Sequence, residues 1–551
     1  MPKIKLNITG GNSLEVESGT RPRDLLQELQ VSEKKAIGGK LNGKLVDLDR
    51  PLNESGDFEI IRAGTDEALY IMRHTAAHTM AQAVARLFED VEFAIGPTIE
   101  DGYYYDFDLP HHLSVEDFDA IEAEMRKIVG EDLPVERIEM SKDEAREFLQ
   151  SQNAGYKLEL LEEVPEGEPI SFYRQGEFTD WCRGPHLDRT GKLRAFKLLN
   201  VAGAYWRGDE RRPMLQRIYG TAFFNDKELK KYLNYLEEAK KRDHRRLGKD
   251  LNLFFLDDVA PGMSFWKGPG LIAKKEVQRF VDELLFDYGY TEIETPLILK
   301  SDIWKTSGHW DHYKDNMFFT SMDEEDFGVK PMNCPGAMVV YKSELHTYRD
   351  FPLRLCEWGV VHRHEKRGMM SGLTRVREFT QDDAHIFCLP EQAVPEVKDM
   401  IRLVGEIYDK FGLFDVRLEL STRPPKSVGT DEMWERAEEV LKNSLEELGR
   451  EYDLSPGEGA FYGPKIDFHA RDVLKRTWQL ATIQVDMAMP ELFDLEYVGA
   501  DNQRHRPIIM HRAILGSVER FMGILIEHFG GAFPTWMSSV QAIVLPISND
   551  K

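Results

Sequence analysis

Apolar and polar residues alternate with a strand-like period in four runs near the start of the chain, KIKLNI, SLEVES, GKLVDL and FEIIRA. Between the second and third lies RPRDLLQEL, whose apolar spacing predicts a helix. Mixed periods follow from Ala68 to about Ala222, in a region that carries RHTAAH, GYYYDFD and DWCRGPH. The segment Lys227–Lys249, KELKKYLNYLEEAKKRDHRRLGK, returns to a helical period. Beyond Leu251 the pattern predicts an amphipathic helix over Ala273–Tyr288, a strand into Thr295-Pro296, and helices over Gln392–Phe411 and Asp431–Leu448. Arg354–Val361 alternates as a strand, Gly368 and Gly372 mark a turn, and Val376–Cys388 reads as the returning strand. After PTW at 534–536 a last strand-like run, QAIVLPIS, begins.

The order of these elements predicts an α+β multidomain chain. Residues 1–63 have the composition of a β-grasp (ubiquitin-like) module, ended by a polar link at Gly64 to Glu67. Residues 68–224 form an α+β domain, 225–250 a basic linker helix, 251–534 an antiparallel sheet flanked by helices, and 535–551 the start of a further domain. Several cores are needed for 551 residues, because single cores rarely grow past roughly 250–300 residues. No apolar run is long enough to span a membrane, and MPKIKLNITGG lacks the apolar region of a signal peptide, which points to the cytoplasm. A formal net charge of −25 excludes a global electrostatic footprint for DNA or RNA, so a polyanion must meet a local patch. Lys227–Lys249 offers such a patch, although a solvated helix face explains it better. Cys182, Cys334, Cys356 and Cys388 are too few and too scattered for a disulfide framework, and reduced thiols are expected.

The candidate chemistry is densest in Arg354–Cys388, RLCEWGVVHRHEKRGMMSGLTRVREFTQDDAHIFC. A hairpin here projects Arg363, Glu365, Arg375, Gln381, Asp383 and His385 toward shared ground; singly each also fits a charged sheet face, together they read as an ATP site beside a metal site. Neither a GxxxxGK[ST] loop nor a GxGxxG turn occurs, which leaves a sheet-mounted arginine set as the route to phosphate. Arg363, Arg375 and Arg520 suit that task, since a guanidinium fork stays charged and grips oxygens in pairs. Glu365 and Gln479 are placed to orient adenine or ribose.

RLCEWGVVHRHE, RVREFTQDDAHIFC, Pro296 and MHRAILGSVERF together resemble motifs 1, 2 and 3 of the class II aminoacyl-tRNA synthetases. PMNCPG, STRPPKSVGTDEMW, GEGAFYGPKIDF and MHRAILGS narrow the resemblance to the bacterial-type threonyl-tRNA synthetases, over residues 1 to about 548. The resemblance implies a homodimer that activates L-threonine with ATP and Mg²⁺, charges tRNA(Thr), and hydrolyses seryl-tRNA at a second site. It places Arg363 on the α-phosphate and reacting carboxylate, Arg375 and Arg520 on the outer phosphates, Phe379 on adenine, and Thr482 with Gln479 and Glu365 along the nucleotide. Cys334, His385 and His511 offer one thiolate and two imidazoles, which suit one zinc per chain with an open fourth position. An open metal that ligates a hydroxyl rejects valine far more strongly than an apolar pocket, which separates such isosteres by only about 10²-fold. Asp383, Tyr462 and Gln381 line the threonine pocket in this reading, with Lys465, Gln484 and His309 supporting activation or transfer.

Serine keeps both ligating groups, so a hydrolytic second sieve is expected. His74 and His78 share a helical face, Cys182 and His186 make a second short-spaced pair, and the two pairs resemble the family's editing domain. The resemblance assigns water activation to His74, Asp180 or Cys182, and the 3′-terminal ribose to Lys157, Tyr105 and His186; despite the ligand-like set, no metal is expected here. Four positions depart from the family: Ala337 stands for His, Ala481 for Gly, and Met487 and Met489 for Phe and Leu. All four are expected near the amino acid and adenylate pocket, reshaped against an inhibitor. The chain is also expected to stop after the first strand of an anticodon-binding domain. Two rivals remain at this stage: a regulatory paralogue that binds threonine or tRNA without aminoacylation, and an adenylating enzyme that transfers to a carrier thiol.

Overall fold

The computed structural model describes residues 2–545 except 166, 169 and 414, and leaves the side chain of residue 367 undescribed. It is an α+β chain of two compact units, Met1–Asn234 and Tyr235–Lys551.

In the first unit a five-stranded sheet runs in the order Ser13–Glu17, Lys3–Ile8, Gly56–Arg62, Ala36–Leu41, Lys44–Val46, with Lys3–Ile8 parallel to Gly56–Arg62. The strand Ala36–Leu41 has no counterpart in the alternation pattern because Gly38 and Gly39 interrupt it. Glycine is required at position 38, since a Cβ there would strike the Ile71 side chain at 2.6 Å. RPRDLLQEL closes only as a 3₁₀ turn at Pro22–Leu25, and Gln30 at φ 54° ends the segment. So short a stretch does not sustain the helix its apolar spacing suggested.

The polar link is also shorter than Gly64 to Glu67. Thr65 Oγ1 accepts the Ala68 N–H at 3.2 Å and caps the helix Asp66–Leu87, placing Asp66 and Glu67 in its first turn, where carboxylates meet the positive helix end. That helix is buried along most of its length. Its side chains share one core with Tyr103, Tyr105, Phe107, Met125, Ile128 and Ile218, and with Ile37 and Ile61 of the β-grasp sheet. A three-stranded sheet, Phe178–Trp181, Ile170–Gln175, Val135–Met140, and a second sheet containing Ala195–Tyr205, Met214–Phe223 and Gly102–Asp108 complete the unit.

The basic segment expected as one helix is two, Asp226–Arg242 and His244–Asp250. Asp243 separates them, its carboxylate accepting the Arg245 N–H at 2.8 Å as the second helix's cap. The first of the two buries no residue, as a solvated face requires.

The second unit is built on an eight-stranded sheet in the order Thr291–Glu292, Leu353–His362, Glu378–Cys388, Ile508–Ala513, Thr477–Asp486, Lys465–Arg471, Val416–Ser421, Asp453–Ser455. Its six central strands pair antiparallel and only the two short edge strands are parallel. Alternation assigns the faces: Ala384, Ile386, Ile466, Phe468, Ile483, Val485 and Met510 pack under the helices Gly268–Asp287, Ala393–Phe411, Asp431–Glu447 and Val518–Phe529 in one core. The opposite face is left for chemistry. Residues 541–545 of QAIVLPIS form no strand, and its last residues, like the rest of 546–551, lie outside the described residues. Among the described residues, no helix is long and apolar enough to cross a membrane.

Candidate functional site

The period-two alternation that buries Ala384 and Ile483 turns Gln381, Asp383, His385, Gln484, Lys465, Asp467 and His511 to the other face. Register then aligns them across strands. One row runs His385, His511, Gln484, Lys465, and the next runs Asp383, Ala513, Thr482, Asp467. A cavity of about 420 Å³ opens on these rows, lined by Arg363, Glu365, Arg375, Phe379, Gln381, Asp383, Tyr462, Gln479, Thr482, Gln484, Cys334, His511 and Arg520 among others.

At its floor the thiol of Cys334, at the start of the helix Cys334–Lys342, meets the two histidines. One donor atom from each of Cys334, His385 and His511 lies within 4.8 Å of the others, and all three residues are buried. His385 Nε2 and His511 Nδ1 have no hydrogen-bond partner. Bare ring nitrogens beside a sulfur fit a metal, because burial otherwise leaves such atoms paired. His385 itself sits behind the cavity wall. Burial lowers the His385 imidazole well below its ordinary range and raises the Cys334 thiol. Burial also works against a charged His511, but the Asp486 carboxylate and the Cys334 sulfur beside the ring outweigh it and raise the ring to about 10, so that a metal taken at Nδ1 must displace a proton. Asp486, which the sequence reading missed, accepts His511 Nε2–H at 2.9 Å and so turns Nδ1 to the cluster. Its other oxygen accepts the N–H groups of Ala488 and Met489 at 2.8 and 2.9 Å.

Beside the cluster, Asp383 accepts from Asn333 Nδ2 at 3.1 Å. Asn333 reaches it across Gly359, where any side chain would collide with the amide. Burial raises the Asp383 carboxyl. Tyr462 donates to Gln484 Oε1 at 2.6 Å, and its ring centroid stands 5.1 Å from that of His511.

Toward the cavity mouth the arginines gather. Arg363 Nε donates to Pro331 O at 3.2 Å and its guanidinium lies 5.0 Å from the Phe379 ring centre. Arg375 pairs with Glu365 at 2.9 Å, and Arg520 Nε donates to Thr374 O at 3.1 Å. Burial first, then repulsion from Arg363 and Arg375, lowers Arg520 from its ordinary value. Three cations that repel one another over a polar floor make a site for a polyanion. Asp467 was also missed. It accepts from Gln479 Nε2 at 2.7 Å and Thr482 Oγ1 at 2.9 Å and contacts the Lys465 ammonium, so it fixes two of the expected nucleotide contacts from behind.

Besides His385, six expected neighbours do not line this cavity. Lys465 is turned to Asp467, and His309 is buried behind Met332 and Phe461, bonded to Ser307 Oγ at 2.8 Å. Ala337 and Met489 lie in the apolar cluster around Phe387 and Leu495. Ala481 is on the helix-covered face, its N–H given to the Tyr408 hydroxyl at 2.8 Å, and Met487 packs against that same core. The expectation of a directly reshaped cavity wall is therefore corrected: none of the four lines the cavity, although Ala337 and Met489 pack in one cluster with Cys334 and Tyr462, which do.

The first unit holds a second cavity, of about 580 Å³, lined by His74, His78, Thr98, Tyr105, Lys157, Asp180, Trp181 and Cys182 among others. Asp180 accepts the Tyr105 hydroxyl at 2.6 Å and contacts the Lys157 ammonium, which is 3.0 Å from the Tyr105 oxygen. His74, His78, Cys182 and His186 also bring donor atoms within 4.8 Å of one another. Burial lowers His74 to about 4, pushes His78 and His186 well below their ordinary range, and raises the Cys182 thiol to about 12. The thiol therefore stays protonated, which disfavours it as a nucleophile or as the base. His186 does not line the cavity. It stands behind Cys182, with Nε2 3.0 Å from the sulfur and Nδ1 3.2 Å from Thr75 Oγ1.

Two family models match: "tRNA synthetase class II core domain (G, H, P, S and T)" over residues 318–529 and "Threonyl and Alanyl tRNA synthetase second additional domain" over residues 170–219. The threonine–tRNA ligase of Carboxydothermus hydrogenoformans is 55% identical over 98% of this chain and 84% of its own length. That of Thermotoga maritima is 53% identical over 99% of this chain and 85% of its own. A crystal structure of the RNA-binding domain of threonyl-tRNA synthetase from Cryptosporidium parvum Iowa II matches 54% of this chain and 74% of its own, at 47% identity and a TM-score of 0.53. The three arginines stand beside the sheet and not on its strands, Arg363 and Arg375 in the loop between Leu353–His362 and Glu378–Cys388 and Arg520 on the helix Val518–Phe529, which corrects the expectation of a sheet-mounted set. Identity of 55% and 53% over nearly the whole chain makes the protein a member of the threonine–tRNA ligase family of class II aminoacyl-tRNA synthetases.

Proposed function

We propose that the second unit joins L-threonine to ATP as threonyl-adenylate and passes it to tRNA(Thr), and that the first hydrolyses seryl-tRNA made in error. The observation that carries this is the meeting of Cys334, His385 and His511 at the wall of a cavity, with Cys334 and His511 lining it beside Asp383, Tyr462, Arg363, Arg375 and Arg520 and His385 just behind. Arg363 is placed to hold the threonine carboxylate against the α-phosphate, so that one carboxylate oxygen attacks phosphorus in line as pyrophosphate leaves. Arg375 and Arg520 take charge from the outer phosphates, which requires Arg375 to release Glu365. Phe379 offers a face for adenine, and Gln479 and Thr482, held by Asp467, offer polar edges to the nucleotide. Asp383 receives the ammonium, while Tyr462 and Gln381 wall the pocket; Mg²⁺ enters with ATP.

Cys334, His385 and His511 would hold zinc, which supplies an open coordination position for the amino and hydroxyl groups of the substrate. Asp486 keeps the proton of His511 on Nε2 and so leaves Nδ1 free for it. Threonine and serine can fill such a position, whereas valine cannot. In the first unit Lys157 and Tyr105 are placed for the terminal ribose, and His74, whose burial keeps it neutral, for the attacking water. His186, Lys465 and His309 act from behind the walls.

We assign residues 1–63 to the β-grasp module, 68–224 to editing, 225–250 to the linker and 251–534 to catalysis. Apolar side chains at Phe255, Leu256, Val259, Leu271, Ile272 and Phe286 stay exposed, Val259 and Phe286 at 79%, which supports a homodimer of the second unit. The proposed location is the cytoplasm. The test is pyrophosphate exchange with threonine, serine and valine on protein of measured metal content. Exchange with threonine and serine, none with valine, and one zinc per chain are expected. Equal exchange with valine, or full activity after the metal is stripped, overturns the reading.

A further inference from the structure

The β-grasp module enters neither reaction above, yet one of its carboxylates reaches the loop that carries Cys182 into the wall of the editing cavity. Asp47, which follows the strand Lys44–Val46, is buried. Its Oδ1 accepts the His186 backbone N–H at 2.7 Å, and its Oδ2 accepts the Tyr173 hydroxyl at 2.7 Å. The segment Cys182–His186 drapes over Tyr173: the Tyr173 and His186 ring centroids are 4.4 Å apart, and Gly184, at φ 65°, passes where any Cβ would overlap the Tyr173 hydroxyl. The segment is tied at its start by Cys182 N–H to Ser171 O at 3.2 Å. At its exit Arg23, also of the β-grasp module, bonds Asp188 at 2.6 Å. Between these ties the backbone is held at His186 by Asp47.

His186 in turn sets the thiol. Thr75 Oγ1 gives its proton to Ile71 O at 3.2 Å, so at His186 it acts as an acceptor and Nδ1 carries the hydrogen. His186 Nε2 is then the acceptor for the Cys182 S–H at 3.0 Å. A displacement of His186 therefore moves Cys182, which lines the cavity.

We propose that Asp47 is a positioning residue for editing: a carboxylate of the β-grasp module clamps the Cys182–His186 loop and thereby fixes the Cys182 thiol in the cavity wall. This rests on the editing reading above. An Asp47→Ala chain loses both bonds, whereas Asp47→Asn keeps an acceptor for the His186 N–H and a donor for the Tyr173 oxygen. Two measurements on the full-length protein decide it, deacylation of seryl-tRNA(Thr) and amide exchange of the peptide covering residues 183–187.

For Asp47→Ala, kcat for deacylation should fall about 10- to 100-fold, the penalty of a misplaced group. KM should hold, because Lys157 and Tyr105 are untouched, threonine-dependent pyrophosphate exchange should be unchanged, and exchange at 183–187 should accelerate. Asp47→Asn should recover most of the rate and protection. Wild-type deacylation by Asp47→Ala, or unaltered exchange at 183–187, overturns the inference; an Asp47→Asn chain as slow as Asp47→Ala also overturns it, since charge and not position would then be at work. Should the unsubstituted protein fail to deacylate seryl-tRNA, the editing reading falls while the amide exchange still judges the clamp. If Asp47→Ala loosens every peptide of the first unit, the same two measurements on Asp47→Asn and Tyr173→Phe, which each remove less, decide between clamp and general unfolding.

Discussion

Replacing Asp486 by Asn tests the proposed metal site most sharply, because it preserves shape and reverses one proton. Asp486 is fully buried, with Oδ2 2.9 Å from His511 Nε2 and Oδ1 accepting two backbone N–H groups at 2.8 and 2.9 Å. The backbone pair holds the oxygen of Asn in the Oδ1 place, since turning the amide would set its NH₂ against two donors. Its NH₂ then faces His511 Nε2. Either two donors confront each other, or His511 moves its proton to Nδ1, the nitrogen that must be bare. Each outcome forfeits a hydrogen bond to a charged group, about 1.5–3 kcal/mol, or about 10- to 150-fold in affinity. Loss of an outer partner of a metal-bound histidine is expected on other grounds to cost about 10- to 100-fold. Zinc affinity measured against a competing chromophoric chelator should fall within that range, and threonine-dependent pyrophosphate exchange should return as free zinc is raised. Unchanged affinity, or an exchange deficit that no zinc concentration relieves, would refute the reasoning.

Arg363→Ala should lower threonine-dependent exchange by about 10²- to 10³-fold, the scale of one lost charge-stabilising donor, with zinc content unaltered. Tyr408→Phe removes a hydroxyl that accepts the Ala481 N–H and donates to Ile514 O, each at 2.8 Å. With two buried groups left unpaired, urea unfolding of the second unit should show a loss of about 2–5 kcal/mol. In the first unit burial lowers His74 to about 4 and holds His78 and His186 well below their ordinary 6.5. The unfolded chain therefore takes up protons below 6.5 that the folded unit refuses. Its stability should be fully present above 6.5 and fall as pH drops toward 4, by about 3 kcal/mol for His74 alone. Amide exchange of the helix Asp66–Leu87 across that window, in the wild type and in His74→Gln, reports this: the variant should depend less steeply on pH.

Strand alternation explains both what was legible and what was not. The hairpin Leu353–His362 and Glu378–Cys388 is readable because its polar residues keep step at 381, 383 and 385. The strand Ala36–Leu41 is not, since two adjacent glycines erase the alternation at the point where Ile71 needs room. Asp486 escaped notice because it sits in a largely apolar run outside the quoted motifs, and Asp467, although it lies within GEGAFYGPKIDF, because it holds Gln479 and Thr482 and is not itself an expected ligand contact. The signal was nevertheless present: Asp467 is two residues from Lys465, and Asp486 two from Gln484, hence on the chemical face. The same rule, applied from Thr482, turns Ala481 toward the helices and against the expectation of a reshaped pocket.

Both units gather cysteine and histidine, and residue type alone does not say which cluster binds a metal. The commitments of the ring nitrogens separate them. In the second unit His385 Nε2 and His511 Nδ1 are bare, and Asp486 takes up the remaining proton of His511, which points Nδ1 at Cys334. In the first, His186 has both nitrogens engaged, by Thr75 and by the Cys182 thiol, and His78 Nε2 stands 3.5 Å from Asp180, leaving His74 Nδ1 as the bare nitrogen. A metal there would have to displace the thiol proton from His186 and break the contact that seats Cys182 in the cavity wall. It would also set a cation beside the Lys157 ammonium. Hydrolysis of an ester needs a neutral base, which the bare nitrogen of His74 supplies, and an ordered wall, which the engaged His186 supplies, whereas selection of a β-hydroxy amine needs vacant coordination, which the bare nitrogens of His385 and His511 allow.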